Sequence, residues 1–597
     1  METVAVLDSG GQYCHLIARK VRELGAYAQI FPIGTPAGEL AENSGIILSG
    51  GPSSVFDESS PQPDPELFEI GRPMLGICYG HQLIAGHLGG LVERGHTHEF
   101  GSANLSVRLD GGLFDGMDRD QQVWMSHGDH VAQLPHGFQV LGATSDCDVA
   151  AMGHPARGIY GLQFHPEVVH TPNGSEILRN FLVNACGCGL DWNPRGRVEG
   201  LIRQITSAVA GRRVLFFLSG GVDSTVAYAL TVRALGTERV EGVYVDTGFM
   251  RDGETAEIEE SFRVLDLGRL QVCDASGRFM SSLRDIVDPE SKRAAIGQAF
   301  VDVQDEILAG EQYGGHDWML GQGTIYPDTI ESGGTQAADV IKTHHNRVER
   351  IQKLIEEGRV LEPLSEFYKD EVRELGRALG LSSALLERHP FPGPGLAIRC
   401  LCSGERADPI VDDGIAAIAR EGGYRAFLLP IRSVGVQGDS RSYAQLTVLH
   451  SGDFAYERLM PLSTAITNEF RSTNRIVAAL APRAFAPTEW EIKPATLTHD
   501  RVRLLQRVDR AVTEYLRAEG LYDEIWQCPV VLLPLSRTGG EAVALRPVNS
   551  VDGMTAAVST LPTAGLFELA DRLHAIEGID AVLFDVSNKP PSTIEWE

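Results

Sequence analysis

A cysteine, a histidine and a glutamate carry the first chemistry that the sequence offers. Cys78 lies in the run Gly-Ile-Cys-Tyr-Gly, between a predicted strand and a predicted helix. Glycines at such a turn permit the strained backbone that exposes a nucleophile, and the N-terminus of the following helix favours a thiolate. His165 and Glu167 follow another predicted strand as His-Pro-Glu, so the imidazole can act as a base that the carboxylate orients. The three residues predict a thiol nucleophile with an acid–base partner.

Two backbone turns complete this predicted site. We expect the main-chain amides of Tyr79, at the helix N-terminus, and of Gly51, in a second glycine turn, to stabilise an oxyanion. Taken singly, a cysteine is more often a small buried hydrophobic residue, and a histidine is more often structural. The glycine-flanked turn and the His-Pro-Glu run together favour the catalytic interpretation.

A second motif, Ser-Gly-Gly-Val-Asp-Ser at 219–224, stands between a predicted strand and a predicted helix. Its amides and hydroxyl groups can cradle a phosphate or a pyrophosphate. The residues predicted to bind are Ser219, Gly220, Gly221, Val222, Asp223, Ser224 and Thr225. The motif lacks the lysine of the GxxxxGK loop, and Asp223 would repel phosphate unless it holds Mg²⁺. A plain glycine turn would explain Gly-Gly alone but explains the six-residue run poorly.

Alternating strands and helices must position both motifs. Strands are predicted at 4–7, 46–48, 74–77, 158–164, 214–218, 240–245, 270–273, 318–320 and 360–363. Helices are predicted at 15–24, from 78 to about 88, and at 225–235, with a linker near 186–196. This order predicts mostly parallel sheets, in which ligands bind at the carboxyl ends of the strands.

The last third of the chain contains a faint duplication. Glu-Gly-Gly-Tyr at 421–424 precedes a predicted strand at 426–430, a second strand and a helix that ends near Leu480. Glu-Gly-Leu-Tyr at 519–522 precedes predicted strands at 525–533 and 542–545 and a helix at 566–576. We therefore predict an α/β multidomain protein with domains 1–190, 191–400 and 401–597, the last an α+β domain of two similar modules.

Composition narrows the partners. The 597 residues, 43% hydrophobic and 22% charged, are typical of a globular protein with several domains. A formal net charge of -28 has the wrong sign for gripping a nucleic-acid backbone, and no apolar run is long enough to span a membrane. Nine cysteines without a disulfide-like pattern, and a first segment without a basic leader, predict a cytoplasmic protein.

Both motifs resemble known families. The Cys78 turn with His-Pro-Glu resembles class I glutamine amidotransferases, and the 219–224 loop resembles that of ATP pyrophosphatases, synthetases that cleave ATP between the α and β phosphates. Their order in one chain is similar to the glutamine-hydrolysing GMP synthases. Further similar segments are Gly-Gln-Gly-Thr-Ile-Tyr-Pro-Asp at 321–328, His-Pro-Phe-Pro-Gly-Pro-Gly at 389–395, Val-Gly-Val-Gln-Gly-Asp at 434–439 and Lys-Pro-Pro-Ser-Thr-Ile-Glu-Trp-Glu at 589–597.

The resemblance implies an activity and the residues that carry it out. Glutamine would be hydrolysed by Cys78 as nucleophile, His165 as base and Glu167 as its partner. ATP would bind the 219–225 loop, with Mg²⁺ at Asp223, and would activate xanthosine monophosphate (XMP) for amination to GMP. For XMP, the resemblance implies contacts from Arg293, Asp439, Gln527, Lys589 and Glu595. The doubled module resembles a long, eukaryote-like form of the family. The resemblance is compatible with either a monomer or a homodimer.

Two other functions compete with this interpretation. A tRNA-thiolating synthetase would use the same class of loop, but it needs a catalytic cysteine pair and a basic RNA-binding face. Cys400 and Cys402 form the only close cysteine pair in that half of the chain. A non-catalytic protein could retain nucleotide binding alone, which the complete triad and loop argue against. The route of ammonia, the domain orientation and the role of His344 and His345 do not follow from the sequence.

Overall fold

The computed structural model describes residues 2–11, 13–57, 59–108, 112–310, 313, 317–333, 354–437, 440–483, 486–550 and 555–597. The chain divides into two compact units, Met1–Gly196 and Arg197–Glu597. The first unit ends at the predicted linker. The second unit contains two large sheets, and the domain boundary predicted at residue 400 lies inside it.

A nine-stranded sheet forms the first unit. Its strands are β1 (Thr3–Asp8), β2 (Tyr27–Pro32), β3 (Gly45–Leu48), β4 (Met74–Ile77), β5 (Leu91–Val107), β6 (Asp120–Gln133), β7 (Gln139–Ala143), β8 (Ala151–His154) and β9 (Ile159–Leu162). Its helices are α1 (Cys14–Glu23), α2 (Ala37–Leu40), α3 (Tyr79–His87) and α4 (Gly174–Asn180). The order is β2-β1-β3-β4-β9-β8-β7-β5-β6, and the first five strands in this order pair in parallel.

The parallel strands bring the predicted residues of the first unit to one sheet edge. Every residue of β3, β4 and β9 is buried, as expected for parallel strands that helices cover on both faces. The register pairs Leu48 with Gly76 and Ile77 with Leu162, so the three strands end side by side. The 50–51 turn, Cys78 and the loop to His165 follow these three ends.

A five-stranded parallel sheet begins the second unit. Its strands are β10 (Arg213–Leu218), β11 (Val240–Asp246), β12 (Leu270–Asp274), β13 (Trp318–Gly321) and β14 (Val360–Leu361), in the order β12-β11-β10-β13-β14. Its helices are α5 (Val198–Val209), α6 (Val222–Leu235), α7 (Glu254–Val264), α8 (Ser276–Ser282), α9 (Pro289–Leu308), α10 (Tyr326–Gly333), α11 (Lys369–Ala378) and α12 (Ser383–Leu386). Because β10 lies between β11 and β13, the 219–221 turn is at the switch point of a doubly wound sheet. α6 begins before its predicted start at Thr225, because Gly221 already caps the helix.

A mixed six-stranded sheet follows in the same unit. The remaining strands are β15 (Arg425–Gln437), β16 (Ser440–His450), β17 (Thr473–Ala481), β18 (Glu491–Ile492), β19 (Val530–Leu533), β20 (Leu535–Ser536), β21 (Glu541–Leu545), β22 (Val548–Asn549), β23 (Ala557–Val558) and β24 (Ile579–Asp585). The remaining helices are α13 (Asp413–Glu421), α14 (Tyr456–Glu469), α15 (His499–Ala518) and α16 (Thr563–His574). The sheet order is β15-β16-β17-β24-β21-β19.

The two halves of this sheet have the same pattern of strand pairing when each half is followed inward from its edge. β15 and β16 are antiparallel, and β17 returns parallel to β16 after α14. β19 and β21 are likewise antiparallel, and β24 returns parallel to β21 after α16. The two halves meet where β17 pairs antiparallel with β24. The predicted helix that ends near Leu480 is wrong: α14 ends at Glu469 and β17 follows, because a short buried apolar run fits a covered strand as well as a helix.

One hydrophobic core joins the two sheets of the second unit. Phe249 and Phe279, near the five-stranded sheet, lie in the same buried cluster as Leu505 of α15 and Phe584 of β24. A second cluster, which includes Trp596, packs on the opposite face of the six-stranded sheet. Across the ranges of residues given above, no helix is long and apolar enough to cross a membrane.

The backbone contact between α3 and β3 yields a stability prediction. A Cβ atom at Gly80 would lie 2.3 Å from the main-chain oxygen of Leu48. We expect Gly80→Ala to lower the local free energy of unfolding around α3 by about 2–3 kcal/mol, because backbone must shift to admit the methyl group. Hydrogen exchange of peptides that cover 74–88 measures this. Gly86→Ala on the same helix is the control, since its Cβ would meet nothing within 4 Å; equal effects of the two changes would contradict the prediction.

Candidate functional sites

Cys78 occupies a strained turn. Its φ of 52° and ψ of -104° lie outside the regions that L-residues ordinarily adopt, and it caps the N-terminus of α3. The turn is possible because a glycine stands on each side: a Cβ atom at Gly76 would lie 2.3 Å from the main-chain oxygen of Gly80. Strain of this kind in a native structure points to a functional constraint. The structure therefore has a strained strand-to-helix turn at Cys78, and the role of this residue as a nucleophile stays a prediction.

His165 and Glu167 form a buried pair. The Nδ1 atom of His165 lies 2.7 Å from an Oε1 atom of Glu167, and both side chains are almost completely buried. Burial opposes the charged imidazole, but the carboxylate of Glu167 and a hydrogen bond with Cys78 outweigh it and raise the pKa of His165 well above its usual value. The pair therefore favours the protonated form of the imidazole.

The thiol of Cys78 has further polar neighbours. The Nε2 atom of Gln163 donates to Sγ at 3.7 Å, and Sγ lies 3.6 Å from the main-chain oxygen of Ser126. Gly50 fits between catalytic candidates, since a Cβ atom there would lie 3.1 Å from Cε1 of His165 and 3.5 Å from Cβ of Cys78. Sequence reasoning missed Gln163. Its position was a usable signal, because it lies two residues before His165, in the predicted strand that leads to this histidine.

The predicted oxyanion donors are the main-chain amides of Tyr79 and Gly51. As the first residue of α3, Tyr79 has an amide with no acceptor inside the helix. Gly51 follows the glycine that contacts Cys78, and its turn is fixed by Ser9, whose amide donates to Oγ of Ser49 at 3.0 Å. These positions are compatible with an oxyanion site, which stays a prediction.

The 219–225 loop in the second unit forms a strand–turn–helix cradle. Gly220 has a φ of 74°, which favours glycine, and Gly221 caps α6. The amide of Gly221 donates to Oγ of Ser219 at 3.3 Å, and Thr225 donates to the main-chain oxygen of Gly221 at 2.8 Å. The first amides of α6 remain free of intrahelical acceptors, so the turn can bind an anion. A Cβ atom at Gly323 would lie 2.7 Å from the amide nitrogen of Ser224, which places the 321–328 segment directly against the cradle.

A charged group borders the cradle. Nζ of Lys369 lies 3.6 Å from Oδ2 of Asp223, while the buried Oδ1 atom has no hydrogen-bond partner. Burial, and then the negative charge of Asp328, raise the pKa of Asp223 against the opposing effect of Lys369. Sequence reasoning missed Lys369 because no local motif marks it and its partner is distant in sequence. A cation at this position replaces part of what the missing loop lysine would supply.

Two carboxylates at the cradle fit a magnesium ion. Asp223 offers an unpartnered buried oxygen, and Asp328 is close enough to influence it. Mg²⁺ is usually bound by one or two carboxylates together with substrate phosphates. In the part of the chain that the structure describes, no group of three or more histidine, cysteine or acidic residues forms a complete protein-only metal site. The donors therefore suit an ion that arrives with a phosphate ligand.

A third cluster gathers three of the residues implied for XMP. Oε1 of Glu595 accepts from Nε2 of Gln527 at 3.1 Å, and a guanidinium nitrogen of Arg293 donates to the main-chain oxygen of Glu597. Lys589 lies on the C-terminal segment that also contains Glu595 and Glu597, and its main chain pairs with that of Ala556. Asp439, and likewise His344 and His345, lie outside the described residues.

Arg399, which sequence reasoning missed, anchors this cluster. Its Nε and Nη2 atoms donate to the two carboxylate oxygens of Glu595 at 2.9 and 2.7 Å, and its side chain is buried. Burial would raise the pKa of Glu595, but Arg399, and more weakly Arg293, hold it below its usual value. The only sequence signal was an arginine inside the apolar run Gly-Leu-Ala-Ile-Arg-Cys-Leu.

A polar cavity of about 360 Å³ adjoins this cluster. Its lining includes Arg251, Arg388, His389, Arg399, Asp509 and Gln527. Burial lowers the pKa of His389 to about 4, so its ring is neutral, and its Nε2 atom lies 2.7 Å from the main-chain oxygen of Tyr522. The cavity has charged and hydrogen-bonding groups on several sides, as a polar ligand requires.

Three family models match the chain. Residues 5–185 match the model described as glutamine amidotransferase class-I, residues 196–265 match NAD synthase, and residues 514–596 match GMP synthase C terminal domain. The first two matches confirm the predicted α/β amidotransferase and ATP-pyrophosphatase folds.

Several relatives match most or all of the chain. The protein named probable GMP synthase (glutamine-hydrolyzing) of Leptospira interrogans is 43% identical over 100% of this chain and 99% of its own length. The GMP synthase (glutamine-hydrolyzing) of Thermobifida fusca is 38% identical over 100% of this chain and 98% of its own. The one of Heliobacterium modesticaldum is 44% identical over 82% of this chain and 99% of its own. The chain belongs to the family of glutamine-hydrolysing GMP synthases.

Proposed function

We infer that the protein converts XMP to GMP with ammonia from glutamine, and that it cleaves ATP to AMP and pyrophosphate. The observation that carries this conclusion is the presence, in one member of this family, of a strained cysteine beside a buried His–Glu pair and of a lysine-less phosphate cradle. The first site can release nitrogen from an amide, and the second can accept a departing pyrophosphate. Together they supply the two halves of an ATP-driven amination.

In the first unit, we propose that Cys78 attacks the side-chain amide carbon of glutamine as a thiolate, whose proton His165 holds. The protonated His165 gives its proton to the leaving nitrogen, so ammonia departs and a thioester and a neutral imidazole remain. Water then attacks the thioester, the imidazole takes one proton of the water, and glutamate leaves as the thiolate of Cys78 is restored. Glu167 keeps the imidazole oriented, and the amides of Gly51 and Tyr79 stabilise the oxyanion of each tetrahedral intermediate.

In the second unit, we propose that the 2-carbonyl oxygen of XMP attacks the α phosphorus of ATP. The bond to pyrophosphate breaks and adenylyl-XMP forms, which turns a poor leaving group into a good one. Ammonia then adds at C2 and AMP leaves with the former carbonyl oxygen, which gives GMP. The amides of the 219–225 loop hold the departing pyrophosphate, and Lys369 adds a positive charge beside them.

We also propose that Mg²⁺ binds at Asp223, with Asp328 as a second carboxylate. The unpartnered Oδ1 atom of Asp223 supports this assignment, because a buried carboxylate oxygen needs a cation or a donor. When bound, the ion would neutralise charge on the phosphates of ATP.

For XMP, we propose Arg293, Gln527, Lys589 and Glu595 as contacts, with Asp439 as a further one that the structure does not describe. Arg293 and Lys589 can neutralise the phosphate, whereas Gln527 and Glu595 can bind base or sugar hydroxyls. The hydrogen bond between Gln527 and Glu595, and the adjoining cavity, support this position.

The symmetric strand order supports a duplicated C-terminal module. We propose that the halves β15–β16–α14–β17 and β19–β21–α16–β24 are two copies, joined at the β17–β24 pair. We propose that the chain is the long, eukaryote-like form; the cytoplasmic location, the lack of nucleic-acid and membrane partners and the choice between monomer and homodimer stay predictions.

The structure offers no support to the tRNA-thiolating alternative. Burial raises the pKa of the Cys400 thiol to about 12, and the residue is completely buried. A catalytic thiolate needs access and a lowered pKa. Incubation with glutamine, ATP and XMP tests the proposed function: the account requires GMP, glutamate, AMP and pyrophosphate, and the formation of ADP with orthophosphate would overturn it.

The role of Cys78 predicts a separation of the two activities. Cys78→Ala should abolish glutamine-dependent GMP formation, because the thioester cannot form, but should leave activity with added ammonium within about two-fold. Cys147→Ala, a buried cysteine of the same unit, is the control and should keep both activities. Loss of both nitrogen sources in Cys78→Ala would argue against the division into two sites.

The His165–Glu167 pair predicts a pH-dependent stability difference. Because the pKa of folded His165 exceeds the unfolded value of about 6.5, its protonation stabilises the fold fully below that pH and less as pH rises through the raised pKa. Glu167→Gln should lower the pKa of His165. The free energy of unfolding of this variant should therefore fall below that of the wild-type protein by the largest amount below pH 6.5, and the difference should shrink above that pH. Urea unfolding of the first unit in the full chain, from pH 6 to 9, measures this. Glutamine hydrolysis should fall by about 10²–10⁴-fold, and parallel stability profiles would refute the charge assignment.

The role of Asp223 predicts a defect that ammonia cannot rescue. Asp223→Asn should slow pyrophosphate release by at least about 10²-fold with glutamine or ammonium alike, because the proposed metal ligand is lost. Asp302→Asn, on α9, is the control, since its carboxylate is away from the cradle and accepts a hydrogen bond from Gln298 of the same helix. Normal pyrophosphate release by Asp223→Asn would remove this residue from the site.

A further inference from the structure

Two buried arginines hold the tail, which we define as residues 587–597. Arg475 on β17 and Arg546 after β21 both pair with Asp585 at the end of β24, at 2.6 and 2.7 Å from its Oδ2 atom. All three side chains are completely buried. Two cations and one anion leave one positive charge that the surrounding main chain must accommodate.

Several other guanidinium donors of the two arginines bind the tail. Arg546 donates to the main-chain oxygens of Ser587 and Ile594 at 3.0 and 3.1 Å and to Oγ of Ser592 at 2.8 Å. Arg475 donates to the main-chain oxygen of Thr593 at 2.9 Å. The excess charge is therefore neutralised by oxygen atoms of the tail.

Arg475 makes further contacts with the tail and also contacts β15. Its Nη2 atom also approaches Oγ1 of Thr593 and the main-chain oxygen of Val434, each at 3.3 Å. Its guanidinium carbon lies 4.6 Å from the ring centre of Trp596. Burial, and then the charge of Arg546, lower the pKa of Arg475 to about 9, so it stays charged at neutral pH. A buried charge without partners is costly, so these contacts restrict the tail to one path.

The same tail carries parts of the proposed XMP site. Glu595 lies on it, two residues beyond Thr593. The tail also pairs with β15, because the amides of Val434 and Val436 donate to the main-chain oxygens of Trp596 and Pro591 at 2.9 and 2.8 Å. The arginine cluster thus holds the segment that carries Glu595 against β15.

We propose that Arg475, Arg546 and Asp585 are positioning residues for XMP, which act through the tail and do not touch the nucleotide. This inference rests on the proposed function of the protein. If the cluster acts in this way, weakening it on the tail side must reduce XMP affinity before it affects the ATP cradle or the glutaminase site.

A mild change on the tail tests the proposal without exposing a buried charge. Thr593→Val removes one acceptor of Arg475 and one donor to Val434, while it preserves side-chain shape. We expect the KM for XMP to rise roughly five-fold, as for loss of one buried hydrogen bond. The KM for ATP and kcat should stay within about two-fold. Thr447→Val is the control, since Thr447 is a buried threonine of β16 whose side chain donates to Oγ1 of Thr473 and contacts no residue of the tail among the described hydrogen bonds. It should leave all three constants unchanged.

A double-mutant cycle identifies the route of the effect. Arg475→Lys keeps a cation for Asp585 but cannot reach the same set of oxygens. If Arg475 acts through Thr593, Arg475→Lys combined with Thr593→Val should raise the KM for XMP less than the product of the single effects, whereas Arg475→Lys with Thr447→Val should be multiplicative. If Arg475→Lys does not fold, Ser592→Ala and Thr593→Val should still each raise the KM for XMP. Unchanged KM for XMP in both tail variants would overturn the proposal.

Hydrogen exchange separates this inference from the proposed function. If the wild-type protein made no GMP from XMP, the proposed function would fail, yet faster exchange of peptides from 587–597 in Thr593→Val, and not in Thr447→Val, would still show that the cluster positions the tail. Unaltered exchange together with normal XMP kinetics would mean that the cluster only adds stability.

Discussion

Main-chain amides at the ends of parallel strands are the feature on which both proposed chemistries depend. When a parallel strand ends in a short glycine-rich turn and a helix follows, the first amides of that helix have no internal acceptor. In the first unit, this arrangement lies at the strained turn that carries the Cys78 sulfur. In the second unit, it lies in the proposed anion cradle that begins at Ser219. The same local physics thus underlies the oxyanion site proposed in one unit and the pyrophosphate site proposed in the other.

Buried charge organises the remainder of the second unit. Arg399 holds Glu595 through two hydrogen bonds, and the Arg475–Asp585–Arg546 cluster fixes the segment on which Glu595 lies. Paired charges in such an interior are specific because each alternative path leaves an ion unsatisfied. The hydrophobic cores on the two faces of the six-stranded sheet fix the backbone, and the buried ions fix the tail against it.

Local patterns predicted the parallel strands and the turn motifs well. The buried runs at β1, β3, β4 and β10 are short, apolar and bounded by glycines, so strand ends and the positions of Cys78 and Ser219 followed from the sequence. The β17 strand was mistaken for the end of a helix, because a buried apolar run has no periodicity that separates the two.

Distant partners were the part that sequence could not supply. Lys369 and Arg399 are defined as site neighbours by three-dimensional contacts across separate elements, and neither of them belongs to a short motif. The pairing of Arg475 and Arg546 with a single aspartate likewise depends on the order of strands in the sheet, which local propensity does not determine.

The central claim is that the 2-carbonyl oxygen of XMP attacks the α phosphorus of ATP in the second unit and thereby becomes a good leaving group. XMP labelled with ¹⁸O at the 2-carbonyl position tests it directly, with the AMP product analysed by mass spectrometry after one round of amination. The account predicts AMP that is heavier by one ¹⁸O atom, because the oxygen leaves on the α phosphorus. Unlabelled AMP, with the heavy oxygen found in water or in pyrophosphate, would contradict it.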